Sequence, residues 1–172
     1  MPPELVGGER MRKAVIVMAL GAAASVAAAA GPVHAELIGR YECNIVGTLG
    51  QEPIGDRPGH MLVSYQYSCY GVDGRLKGAL YTGSAASEWE NQKGAYLYGA
   101  GIHRMPDGLA VVQLVEGTAT VAMQDGTPAI SHANGKVVFK LASGSLSSLA
   151  GRTATFTARL TSPGHFVYEM TD

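Results

Sequence analysis

The feature that most constrains this chain is alternation. In "GHMLVSYQYSCYG", residues 59–71, apolar and polar side chains largely exchange places from one position to the next, and the same period of two recurs in runs of Val, Tyr, Thr and Ala. A period of two puts one set of side chains on one face of an extended strand, whereas a helix against a core needs apolar residues three and four apart. Strands are therefore expected at 37–46, 61–70, 76–90, 95–104, 110–115, 118–124, 130–141, 153–160 and 166–170. Between them stand Asp73-Gly74, the segment 91–94, Asp107-Gly108, Asp125-Gly126 and Pro163-Gly164, residue types that tolerate the positive φ of tight hairpins. Linkers this short join antiparallel neighbours. Only "ASGSLSSLAG", 142–151, breaks the rhythm: Leu146 and Leu149 stand three apart, which predicts a short helical turn near 143–151 plugging one end of the sheet.

Many sequential strands in a small all-β domain must satisfy their edges, and closure does so. The expected fold is a single antiparallel up-and-down barrel of about eight strands, with a two-sheet sandwich as the alternative. Its inner face reads as uneven. Ala79, Gly83, Ala85, Gly99 and Gly101 are small, while Tyr65, Tyr67, Trp89, Leu97, Val121, Met123, Phe139 and Phe156 are large. Such a contrast suits a cavity and suits tight complementary packing equally well.

The N-terminal part has a different character. "MRKAVIVMALGAAASVAAAAGPVHA", 11–35, runs from Arg12 and Lys13 through an uncharged Ala/Val-rich stretch to a small-residue site, the order of a secretory signal peptide. "MPPELVGGER", 1–10, reads as an N-terminal extension or a start placed upstream of Met11, and 36–172 as the folded barrel domain. The alanines are weakly apolar and no second apolar span follows, so no membrane span is expected once the signal is removed. The expected location is the periplasm or the exterior.

Beyond residue 35 the chain holds ten basic and twelve acidic residues, a net charge of about −2, with no basic run able to neutralise several phosphates. Nucleic acid is not an expected partner. Cys43 and Cys69 are the only cysteines. Cys43 shares parity with Tyr41 and Ile45, and Cys69 with Met61, Val63, Tyr65 and Tyr67, so both point to an apolar face and are expected to form a disulfide in an oxidising compartment. Neither a CxxC pair nor histidines at ligand spacing occur, so no metal site and no cofactor are expected.

Candidate functional residues come from the inner face. Of His60, His103, His132 and His165, each isolated in sequence, His103 shares the parity of Ala95, Leu97, Gly99 and Gly101 and would need a buried partner. The others read as surface or strand-end residues. Trp89, between Glu88 and Glu90, reads as inward, and with Tyr65 and Tyr67 would line a mouth for an apolar ligand. The candidate binding set is thus Tyr65, Tyr67, Trp89 and His103. Ser147 and Ser148 lack a GxSxG frame, and no residue is assigned as catalytic.

"GKVVFKLASGSLSSLAGRTATFTARLTSPGHFVYEM", 135–170, resembles the closing strands of allene oxide cyclase-like, calycin-type barrels: a strand, a small-residue segment, then two strands. "YECNIVGTLG" followed by a second cysteine in the next strand is similar to the plan of exported proteobacterial proteins with that barrel. The resemblance implies an eight-stranded barrel; plant members of the family cyclise an unsaturated epoxide, and related microbial barrels bind or fold polyketide-like intermediates. No catalytic residue of those enzymes is matched to a position here. Three functions therefore stand as expectations: an exported barrel binding a small apolar molecule, a cofactor-free cyclase or isomerase, and a structural or interaction module with a packed interior.

Overall fold

The structure, a computed structural model, describes residues 35–172 apart from 125 and 126, and omits the side chains of 122–131. The extension expected at 1–10, the signal peptide expected at 11–35 except for Ala35, the inward placement expected of Met123 and the turn expected at Asp125-Gly126 lie outside the described residues.

Eight strands follow one another: β1 (Leu37–Pro53), β2 (His60–Asp73), β3 (Leu80–Glu90), β4 (Lys93–Met105), β5 (Gly108–Gln124), β6 (Thr127–Gly144), β7 (Thr153–Ser162) and β8 (His165–Thr171). Each pairs antiparallel with the next, and β8 returns to β1 through pairs such as Tyr41 with Tyr168. The sheet closes into an up-and-down barrel, as the alternation predicts. Closure gives every strand two paired neighbours, which is its physical return.

Two expected boundaries are corrected. The segments 110–115 and 118–124 are one strand, because β6 stays paired with β5 through Glu116 opposite Lys136 and Gly117 opposite Gly135, and Val115 is accommodated as a bulge. A strand beginning at Leu76 is also wrong. Residues 74–79 fold back instead, with Lys77 N–H donating to the Gly74 carbonyl, Leu76 N–H to Ile38 and Ala79 N–H to Leu76. The detour places Leu76, fully buried, in the mouth of the barrel.

The same end is sealed by the segment that breaks the alternation. A single 3-10 turn, η1 (Ser147–Leu149), brings Leu146 and Leu149 together because residues three apart eclipse in that geometry. Both are buried with Ile38, Leu76 and Met170 into one cluster that removes the open end of the barrel from water. At the opposite end Val63, Trp89, Ala119 and Ala133 form a separate buried cluster, against which half-buried Val121 packs.

Parity on the inner wall of β4 is reversed by a bulge. In β4 the register with β3 shifts between Ala86 and Ser87, so that Leu97 is an extra residue between Tyr96 and Tyr98. A bulge reverses which residues face inward. Before it Gly94 and Tyr96 are inside; after it Gly99, Gly101 and His103 are. Ala95 and Leu97, expected inside, are exposed, Leu97 to 58%.

Candidate functional site

The middle of the barrel is a layer of phenols. Six tyrosines, Tyr41, Tyr65, Tyr67, Tyr81, Tyr96 and Tyr168, face the interior, while Tyr70 and Tyr98 lie on the outside, exposed to 55% and 51%. Tyr65 and Tyr67 stand two apart on β2, so one strand delivers both to the same face. Their hydroxyls are satisfied pairwise: Tyr65 Oη lies 3.0 Å from Tyr96 Oη, and Tyr67 Oη 2.7 Å from Tyr81 Oη. The rings meet at tilted or edge-on angles, as between Tyr67 and Tyr81 at 5.2 Å and between Tyr67 and Phe166 at 6.1 Å, the arrangement aromatic quadrupoles prefer.

Among these rings lies a cavity of about 50 Å³. Tyr65, Tyr67, Tyr81, Tyr96, Phe156, Phe166 and Tyr168 form its aromatic walls, and Ala85, Gly99 and Ala158 leave the space. Burial raises the pKa of Tyr65, Tyr67, Tyr81 and Tyr168 well above the ordinary phenol value, and that of Tyr96 in the same direction. The cavity is therefore lined by neutral phenols that donate and accept hydrogen bonds. Tyr168 takes no part in these two phenol pairs, and the rings of Tyr81 and Phe156 pack on it at 5.7 and 5.4 Å.

Of the four residues singled out in the sequence, the structure brings two to this cavity. His103 lies beside the layer, fully buried and stacked on Tyr81 with ring centroids 4.0 Å apart, and does not line the space. Its Nδ1 is 2.8 Å from Tyr41 Oη, so the expected buried partner exists, while Nε2 is buried with no partner among the described residues. Burial lowers the His103 pKa to about 3, and the ring is neutral at ordinary pH. Trp89 belongs to the cluster at the other end, its Nε1–H donating to Ser87 Oγ at 2.8 Å. A mouth shared by Trp89, Tyr65 and Tyr67 does not form.

Tyr81, Tyr96, Tyr168 and Phe166 complete the site without having been singled out. Tyr168 and Phe166 were legible as one face of β8, sharing parity with Met170. Tyr96 was hidden by the bulge at Leu97.

A second polar group sits at the rim. His60, 5% exposed, holds Asp56 Oδ1 on Nδ1 and Glu88 Oε1 on Nε2, each at 2.5 Å, and Arg57 reaches Asp56, Glu88 and Glu90. His132 and His165 are exposed. Among the described residues no group of His, Cys, Asp and Glu is arranged to hold a metal ion, and no helix is long and apolar enough to cross a membrane.

The chain matches no protein family, no curated protein and no solved structure.

Proposed function

We propose that this protein is an exported barrel that takes a small, neutral, largely apolar molecule into its tyrosine layer. The observation that carries the reading is the cavity itself, walled by aromatic rings, with Tyr65 paired to Tyr96 and Tyr67 to Tyr81 and with Tyr168 in the wall outside those pairs. A guest would stack on Phe156 and Phe166 and accept or donate one hydrogen bond at Tyr168. The volume sets the scale. About 50 Å³ is well below the roughly 150 Å³ of an apolar cavity that holds benzene, so a guest larger than a few heavy atoms must displace a side chain of the wall. Export is supported by the 11–35 segment and by the Cys43–Cys69 disulfide, which belongs to an oxidising compartment.

The cyclase reading, which accords with the allene oxide cyclase-like resemblance, is favoured by the same neutral donors, since they shape and polarise a reactive guest without a cofactor. It has no ionised acid or base at the cavity wall to draw on.

The test uses phenol and toluene followed by NMR of the tyrosine side chains. Both are expected to perturb Tyr96 and Tyr168, and Tyr168→Phe is expected to weaken phenol by about 0.5–1.5 kcal/mol while leaving toluene unchanged. Absence of any perturbation with either probe defeats the binding reading and leaves the packed structural module.

A further inference from the structure

The wall beside the cavity is parted. Strands β4 and β5 are paired from Lys93 opposite Thr120 to Ala95 opposite Thr118, and pairing resumes only at Ala100 opposite Gln113. Four residues on each strand lie in the gap, Tyr96 to Gly99 facing Leu114 to Gly117. Each strand also bulges there against its other neighbour, β4 at Leu97 and β5 at Val115, and these two bulged residues are each 58% exposed.

Continuing the register across the gap sets Tyr96 opposite Gly117 and Leu114 opposite Gly99. Each large inward side chain thus lies over a glycine. A methyl group added at Gly117 would stand 3.0 Å from Tyr96 Cδ2, and one added at Gly99 3.2 Å from Leu114 Cβ. The seam is closed by two side chains and by no backbone ladder. Tyr96 and Leu114 line the cavity from within, and an outer groove bordered by Leu97 and Tyr98 shares Gly99, Ala100, Val112 and Leu114 with it. Groove and cavity are back to back.

We infer that the β4–β5 seam is the door of the cavity, with Tyr96 and Leu114 as its leaves and exposed Leu97, Tyr98 and Val115 as an apolar lip that admits flat neutral molecules. The inference rests on the binding reading above. Outward rotation of Tyr96 costs one hydrogen bond, to Tyr65, and no pair of the β-ladder. It also enlarges the cavity on the side where the guest arrives. A second seam interrupted in its pairing, β1–β2 around residues 47–49, is a weaker rival: its outer groove is bordered by Thr48, Ser64, Gln66 and Ser84 and shares only Tyr65 with the cavity.

Phenol exchange measured by NMR separates these. Gly117 does not itself line the cavity, and a methyl there stands 3.0 Å from Tyr96 Cδ2, 3.2 Å from the Asn134 carbonyl and 3.3 Å from Phe156 Cζ, so Gly117→Ala crowds the path of Tyr96. It is expected to slow association and dissociation together by about tenfold, a barrier increase of ~1.4 kcal/mol, with Kd within about twofold of the parent. Gly50→Ala at the β1–β2 seam is expected to leave both rates unchanged. If Gly117→Ala loses its dispersed amide spectrum, the double variant Leu97→Ala with Val115→Ala carries the test, and a trimmed lip is expected to speed both rates. Phenol binding with rates indifferent to the seam variants, or slowed by Gly50→Ala instead, overturns the door and leaves the binding reading standing. Phenol that binds nowhere overturns both.

Discussion

Two buried histidines answer acid in opposite ways. His60 is held between Asp56 and Glu88, chiefly by its hydrogen bond to Asp56, and its pKa is raised, so the stability it contributes is complete below the unfolded value near 6.5 and is lost as pH rises through the higher folded value. Asp56 is lowered, mainly by the same bond, and its contribution is present above the unfolded value near 3.9 and lost as pH falls through the lower folded one. The Asp56–His60–Glu88 latch, with Arg57 and Glu90 beside it, is thus strongest between about pH 4 and 6.5. His103 runs the other way: burial favours its neutral form, so the unfolded chain binds the proton first and stability falls as pH drops from about 6.5 toward 3. Side-chain NMR titration is expected to show His60 titrating above its ordinary midpoint while His103 stays neutral to below pH 4. A His103 ring that titrates near 6.5 would refute its burial. Tyr41→Phe removes the hydrogen bond at His103 Nδ1, leaving it as unpaired among the described residues as Nε2, and is expected to cost about 1–3 kcal/mol in denaturant melts.

At the level of elements, the plug and the bulges matter more than the strands between them. Leu149 is fully buried at the barrel end, in a turn of three residues that contributes few backbone bonds of its own. Its hold on the structure comes from packing. Leu149→Ala is expected to destabilise the fold by about 2–5 kcal/mol, with the loss greatest if the neighbouring Leu146 and Leu76 cannot close the space. Chemical denaturation checks the size, and a loss under about 1 kcal/mol would show that the turn is not sealing the end. The bulge at Leu97 has a different consequence: it puts Tyr96 inside and within hydrogen-bond reach of Tyr65, so the phenol layer depends on one inserted residue.

For the molecule as a whole, the disulfide ties the first hairpin of the barrel. Cys43 and Cys69 are directly opposite in the β1–β2 register with Cα atoms 4.0 Å apart, and the bridge closes a sequence separation of 26 residues. Restricting an unfolded loop of that length is worth roughly 3 kcal/mol in the chain-entropy account. Replacing both cysteines by Ser is expected to lower stability by about that amount without opening the barrel, since every strand keeps two paired neighbours. If export proceeds as proposed, protein recovered from the periplasm begins at Glu36 and has no thiol reactive toward alkylation before reduction. An intact mass retaining residues 11–35 would remove that assignment.

The division between what could be read in the chain and what could not follows from the range of the forces involved. Parity along a strand is a local property of an extended backbone, so the alternation, the glycine turns, the paired cysteines and the leucines of the 3-10 turn determined strands, hairpins, disulfide and plug from the sequence alone. The height of a residue along the barrel axis is not local. It depends on register summed over every seam, and that register is reset wherever a bulge enters, as between Ala86 and Ser87 or around Val115. Hence Tyr65 and Tyr67, on one strand, stayed together, whereas Trp89 on β3 and His103 on β4, correctly read as inward, came to rest in different layers, one at each side of the phenols. Whether large and small side chains leave a cavity or close it is decided by the same sum, and only the folded barrel sets Tyr96 over Gly117 and Leu114 over Gly99 across a seam with no ladder to hold it shut.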